Sequence, residues 1–341
     1  MNEDGESEKE IAPDNNSSAG NLPNKKKRLA VPAWVLVFLY LIVVLEVICM
    51  IRFPAVFDEY KAYMTSDAEA VNGDTSKAIE DLYKITAAHP DSSAVILKTI
   101  DLSMKNGYYD VAGNVFDKYL VGINLSDSDF SRMTSYSLQL KKYYRTCDAV
   151  DQILKKASEA GTTENIDYNA ITNDLNALLA QPEQDEAVIY YYLGVVTPEN
   201  IESAKNQLQK SYDINPECFD VRVQLGVMYR HLGDYEKAKE LNQEALQKDK
   251  SDSGALRSNA IIKMLEGDLE GGLATAKKAY EAYPDGMYIR ESYLIALTLD
   301  NKKEEALKIE NEMTAAGEVL DDETVRLLNG DITLEDYYVR G

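Results

Sequence analysis

"LGDYEKAKELNQEAL" (residues 232–246) opens on a Gly-Asp pair and continues as a helix-forming run in which Ala238 and Ala245 stand seven apart. Seven residues is close to two helical turns, so both alanines fall on one face. A face marked by small side chains lets a neighbouring backbone come close. The Gly-Asp pair supplies a sharp reversal ahead of it. The stretch therefore predicts the second helix of a tightly packed helical hairpin.

The same pattern recurs. Steps of 34 from Ala238 reach Ala170, Ala204, Gly272 and Ala306, all small. Seven residues beyond these positions lie Ala177, Ser211, Ala245, Ala279 and Met313, of which only the last is large. Twelve residues beyond come Pro182, Pro216, Lys250 and Pro284, and a proline there stops the helix. Gly233-Asp234 and Gly267-Asp268 mark two of the reversals. This period and these landmarks resemble the tetratricopeptide repeat, a helix–turn–helix unit with a W-x₂-L-G-x₂-Y…A-x₃-F…P pattern. The match is closest at 219–250, where Leu225-Gly226 and Tyr229 fill the L-G-x₂-Y slots. The preceding unit carries Leu193-Gly194, the following one (253–284) departs with Asn259-Ala260, and the last (287–316) has Asn301 in place of the turn glycine. "NGDTSKAIEDLYKITAAHP" (72–90) places Gly73, Ala78, Ile85 and Pro90 in the same slots, and Gly107, Ala112 and Tyr119 follow.

The resemblance implies an all-α solenoid, because one hairpin cannot bury its own apolar face and must stack on others. The two halves are out of phase: Ala112 and Ala170 are 58 apart rather than a multiple of 34. Residues 127–144 and 146–160 each read as one helix, one short of full alternation. The sequence thus divides into N-terminal repeats at 56–121, an irregular junction at 122–165, C-terminal repeats at 166–316 and a tail at 317–341. The tail's stripe of Val325, Leu328, Ile332 and Leu334 resembles a cap over the last open face.

Ahead of the repeats, residues 1–28 are acidic and rich in Asn, Ser and Gly, ending in the basic cluster Lys25–Arg28. Such a composition predicts disorder. Residues 29–51 carry a single charge, Glu46, near the end of the run. As a helix they would extend about 34 Å, enough to cross a bilayer core. Trp34 and Tyr40 suit the interface, and the basic cluster predicts a cytoplasmic N-terminus with everything after Arg52 on the far side. The run is longer than a signal-peptide core and no A-x-A-like site follows, which predicts an uncleaved signal anchor. A bacterial cell envelope fits this plan best.

Hydrophobic residues make up 45% and charged residues 28% of the 341, ordinary for a folded chain. Lys+Arg total 36 against 58 Asp+Glu, a net charge of −22, which repels phosphate backbones and argues against a nucleic-acid partner. Two histidines, His89 and His231, and three cysteines, Cys49, Cys147 and Cys218, show no metal-ligand spacing. Cys147 and Cys218 read as small buried hydrophobes. No G-x-x-x-x-G-K-[ST], G-x-S-x-G or H-E-x-x-H motif occurs, so the sequence points to no enzyme and no cofactor.

In the family resembled, the first helix of each unit lines the inner surface on which peptide ligands lie. By position this implies a groove of Tyr191, Val195, Val223, Val227, Arg230, His231, Arg257, Ile261, Met264, Tyr288, Glu291 and Ile295, with Leu265 beside them. The Lys and Asn residues of the carboxylate-clamp members are replaced by Val223, Val227, Arg257 and Ile261, so that specificity does not carry over. A largely apolar groove with two arginines suits a peptide segment. The functional expectation is a membrane-tethered protein scaffold or assembly factor. A holdase for translocated clients and an accessory subunit of an envelope glycan-assembly enzyme are the alternatives.

Overall fold

The computed structural model describes residues 32–160, 166–196 and 200–339, which form sixteen helices. The acidic segment 1–28, the basic cluster and residues 29–31 of the expected span lie outside this set. The chain divides into two compact units, 1–55 and 56–341. In the first, α1 (Ala33–Val71, which continues into the second unit) is apolar on every side and exposed, and is long and apolar enough to cross a membrane. Pro54 lies inside this helix.

In the second unit the helices alternate as pairs. The end of α1 precedes α2 (Thr75–Ala88), and α3 (Ser93–Lys105) precedes α4 (Tyr109–Tyr119). Next come α5 (Asp127–Ala160) with α6 (Tyr168–Leu179), and α7 (Glu186–Val195) with α8 (Ile201–Ile214). Then follow α9 (Val221–His231) with α10 (Tyr235–Lys248), α11 (Ser253–Leu265) with α12 (Leu269–Ala282), and α13 (Met287–Leu299) with α14 (Lys303–Ala315). Two short helices, α15 (Asp322–Leu328) and α16 (Leu334–Tyr338), end the chain.

The Gly-Asp pairs act through two separate devices. Gly233 (φ 77°) and Gly267 (φ 87°) take the left-handed conformation that ends the first helix of a pair. The aspartate then caps the second, Asp234 accepting from Lys237 N and Asp268 from Gly271 N. Each such cap is worth about 1 kcal/mol. Asn301, at φ 56°, performs the same reversal in the last pair.

Small residues sit where the two helices of a pair touch. Ala204 and Ala238 are fully buried, and a Cβ on Gly194 would stand 2.5 Å from Leu208 Cγ. One repeat departs from the expected pattern at both positions: Ala170 and Ala177 are exposed. Helix α6 instead buries Ile171, Leu175 and Leu178, one residue later along the chain. Its large apolar side chains won that face over the alanines, as burial area dictates.

The expected two-helix junction is a single 34-residue helix, α5. Alternation is therefore unbroken, and the extra length between Ala112 and Ala170 is taken up by one elongated first helix. Its first half buries Met133 and Leu140 against Ile96, Ile100 and Val115 of α3 and α4. Its second half buries Val150 against α6 and α7. Between them Thr146, wholly buried, donates to Gln184 Oε1 (2.9 Å) and accepts from Asp185 N (2.8 Å). Since α6 pairs with the second half alone, Phe130 and Leu138 on the first half remain exposed.

The array also touches itself across a long sequence separation. Lys250 N donates to Gly73 O at 3.1 Å, and Asn215 Nδ2 to the Tyr109 hydroxyl at 2.9 Å. Lys248 Nζ lies 5.5 Å from the centre of the Tyr108 ring. The turns of the first two pairs thus rest on the α8–α9 connection and on the end of α10.

Candidate functional site

The first helices α9, α11 and α13 stand side by side, and an open cleft of about 810 Å³ runs across them. From α9 it is lined by Val223, Gln224, Val227, Arg230 and His231, from α11 by Arg257, and from α13 by Tyr288 and Glu291. The opposite wall is Asp321 with Tyr337 and Tyr338 of the C-terminal tail. Asp220, Tyr283 and Asp285 close the rim.

The groove residues expected from the repeat register separate into three sets. Val223, Val227, Arg230, His231, Arg257, Tyr288 and Glu291 do line the cleft. Ile261, Met264 and Ile295 do not: they are buried in the cluster that contains Tyr337 and Tyr338. The tail covers them, so they form a floor under α16 and no open contact surface. Tyr191 and Val195 lie outside the cleft as well. The Tyr191 hydroxyl donates to Asp220 Oδ1 at 2.5 Å and its ring packs 4.8 Å from that of Phe219, while Val195 packs beside Leu208, Val221 and Leu225. Burial, then the Asp220 carboxylate, raises the Tyr191 hydroxyl pKa, so it stays protonated.

Within the cleft the polar groups are committed to particular neighbours. Arg257 Nε donates to Tyr288 O (2.9 Å) and to Ser292 Oγ (2.7 Å), and its guanidinium stands 5.7 Å from the Tyr288 ring centre. It ties α11 to α13 while leaving Tyr288 65% exposed. Glu291 is buried and accepts from the Tyr337 hydroxyl at 3.1 Å. Burial raises its carboxyl pKa, opposed by the charge of Arg257 and by that hydrogen bond. Arg230, also buried, holds its guanidinium 5.2 Å from the Tyr338 ring centre, with His231 Nε2 3.4 Å from its Nη2. The accessible surface is therefore Val227, His231, Gln224 and Tyr288 above a floor of fixed charges. Such a surface offers apolar contact and hydrogen-bonding groups side by side.

The tail's part in this wall was missed by the sequence reading. The stripe of Val325, Leu328, Ile332 and Leu334 is only partly used, and Val325 is 41% exposed. The buried side chains of the tail are Thr324, Leu327, Tyr337 and Tyr338. The adjacent Tyr337-Tyr338 pair was the available signal.

Away from the cleft, Cys147 and Cys218 are free thiols beside the tyrosine cluster of α5 and α7. Burial pushes the first up to about 11 and the second up to about 12. His89, at the end of α2, pairs with Glu59 at 2.9 Å.

Residues 199–253 match the tetratricopeptide repeat family. That stretch takes in α8, α9 and α10, including one wall of the cleft. Among solved structures, the chain is similar to a tetratricopeptide repeat protein from Parabacteroides merdae, at 14% identity over 80% of this chain and 97% of that one (TM-score 0.41). It is also similar to the TPR domain of P58(IPK), at 18% identity over 78% and 76% of the two chains (TM-score 0.32). A third is YrrB, described as a TPR protein with an unusual peptide-binding site, at 16% identity over 61% and 95% (TM-score 0.33). No curated protein matches the chain.

Proposed function

We propose that this protein is a membrane-tethered scaffold that holds a protein partner outside the cytoplasm, gripping a peptide segment of it in the cleft across α9, α11 and α13. The observation that carries the reading is that cleft: about 810 Å³, open, and walled by first helices of three successive pairs. The tetratricopeptide match at 199–253 supports it, because protein and peptide partners are what such repeats bind. The apolar length of α1 supports the tether. The basic residues Lys25–Arg28 ahead of it support an N-terminus in the cytoplasm.

The test is a crosslinking pull-down from intact membranes with wild type and a Val227→Glu/Tyr288→Ala variant. Both residues face the cleft without holding the fold, unlike Val223, which is buried, or Arg257, which bridges two helices. One partner recovered by wild type and lost in the variant supports the scaffold. An unchanged partner list refutes binding through the cleft, and many weak clients would make the protein a holdase.

A further inference from the structure

A cap on the last repeat needs to cover only α13 and α14. The C-terminal tail reaches further. Helix α16 crosses α11, and Tyr338 extends to Arg230 on α9, two pairs back along the array. It is five residues long, too short to be stable as a helix by itself. Its shape is held locally by a capping box between Thr333 and Asp336 and by Thr324 of α15, whose hydroxyl lies 2.7 Å from that of Tyr337, and otherwise by the groove. Glu291 receives the Tyr337 hydroxyl, Arg230 faces the Tyr338 ring, and Ile261, Met264 and Ile295 lie in the same buried cluster. The tail therefore binds as a peptide ligand would, with two aromatic anchors, one hydrogen bond and one cation–π contact.

Its connections suit release. Gly317 (φ 76°) precedes α15 and Gly330 (φ 80°) precedes α16, and the space around each is open to 4 Å. The exposed part of the cleft, at Val227 and Tyr288, is continuous with the covered part. A longer segment can thus begin binding in the open part and extend under the tail.

We propose that residues 333–339, Thr-Leu-Glu-Asp-Tyr-Tyr-Val, are a tethered ligand of this groove, and that its external partner is a peptide presenting two adjacent tyrosines. The proposal rests on the reading of the cleft as a protein-binding surface. The buried acceptor Glu291 selects the first hydroxyl. Arg230 selects the second ring.

The experiment titrates a fluorescent synthetic peptide of residues 333–339 against the full-length protein in detergent micelles. Wild type is compared with a Tyr337→Ala/Tyr338→Ala variant, whose own tail no longer competes. The expected result is at least tenfold tighter binding to the variant, abolished when both tyrosines of the peptide are alanine. Equal binding by the two proteins overturns the proposal. Hydrogen exchange on wild type guards against a variant that fails to fold. Saturating peptide is expected to accelerate exchange in residues 322–338 and leave α12 unchanged, and a tail whose exchange does not respond overturns the proposal. A concentration-dependent dimer of wild type would overturn it in another way, by making a second copy the occupant. Peptide binding alongside an unchanged pull-down would leave the tethered ligand standing and remove the scaffold reading; the reverse pair of results would do the opposite.

Discussion

Two glycines in equivalent turns offer a controlled measurement of how the array closes on itself. Gly107 and Gly233 have nearly the same backbone conformation, φ 74° and 77°. Around Gly233 a Cβ would meet nothing within 4 Å, whereas at Gly107 it would stand 2.3 Å from the carbonyl oxygen of Glu217. Alanine at either site bears the left-handed strain of about 1–2 kcal/mol. The stiffer unfolded chain returns about 0.4–1 kcal/mol. Gly233→Ala should therefore cost about 1 kcal/mol. Gly107→Ala adds an overpacking term of about 1–3 kcal/mol, because the obstacle is backbone and cannot rotate aside. If the contact opens instead, the Asn215–Tyr109 hydrogen bond and the Lys248–Tyr108 contact go with it, at about 1 kcal/mol each. Either route brings the Gly107→Ala loss to about 3 kcal/mol. The assay is urea unfolding of the full chain in micelles followed by far-ultraviolet circular dichroism, since the sole tryptophan, Trp34, lies in the apolar helix. Losses that agree within about 0.5 kcal/mol would show that the first two pairs do not rest on the α8–α9 connection.

Further outcomes are expected elsewhere. Asp148→Pro, at an exposed site inside α5, should cost about 3 kcal/mol or more by breaking the helix, while Asp148→Ala should leave the urea midpoint unchanged; equal midpoints would mean a second helix starting at 146, whose first turn tolerates proline. In a Cys49→Ser background, Cys147 and Cys218, whose thiol pKa values burial pushes up to about 11 and about 12, should resist maleimide at neutral pH until the chain unfolds, and rapid labelling of the folded protein would contradict that shielding. In the same Cys49→Ser background, Ser251→Cys in an exposed turn should react with a membrane-impermeant maleimide applied from outside intact cells; protection there would reverse the proposed topology. Glu291 has a folded pKa above its unfolded one, so the native state holds the extra proton and wild type loses stability as pH rises through the interval between the two values. Glu291→Gln can still accept from Tyr337 and should lack that loss. Its melting temperature should match or exceed that of wild type at pH 7, with the difference vanishing below the ordinary glutamate range. A variant less stable at pH 7 by the same margin as at pH 4 would remove burial as the governing cause.

The repeat was legible because its devices are local. A left-handed residue, an aspartate cap and a small contact residue act within one hairpin, so Gly233, Asp234 and Ala238 announce themselves in order. Phase across α5 was not legible, because the interval contains no break such as proline or glycine and two short helices read the same as one long helix. Ala170 misled for a related reason: alanine is small whether it faces a partner or the solvent, and only the bulk of Ile171, Leu175 and Leu178 decided which face was buried. The groove was legible in register and illegible in occupancy. Ile261, Met264 and Ile295 fall at the right positions, but what covers them comes from about forty residues or more further along the chain. No local pattern encodes that return.

The contact of the first two turns with the α8–α9 connection and the end of α10 has a thermodynamic consequence. In an open solenoid each repeat gains stability only from its immediate neighbours, so unfolding can begin at an end and advance one unit at a time. Here the first two pairs have a second neighbour, the α8–α9 connection and the end of α10, more than a hundred residues away in sequence. Fraying from the N-terminal side must break that contact before it propagates, and the stretch carrying α5 to α8 is enclosed between two coupled ends. The array is then less a chain of independent links than a loop, with its cooperativity set by a clasp of a few hydrogen bonds and two crowded glycines, Gly73 and Gly107.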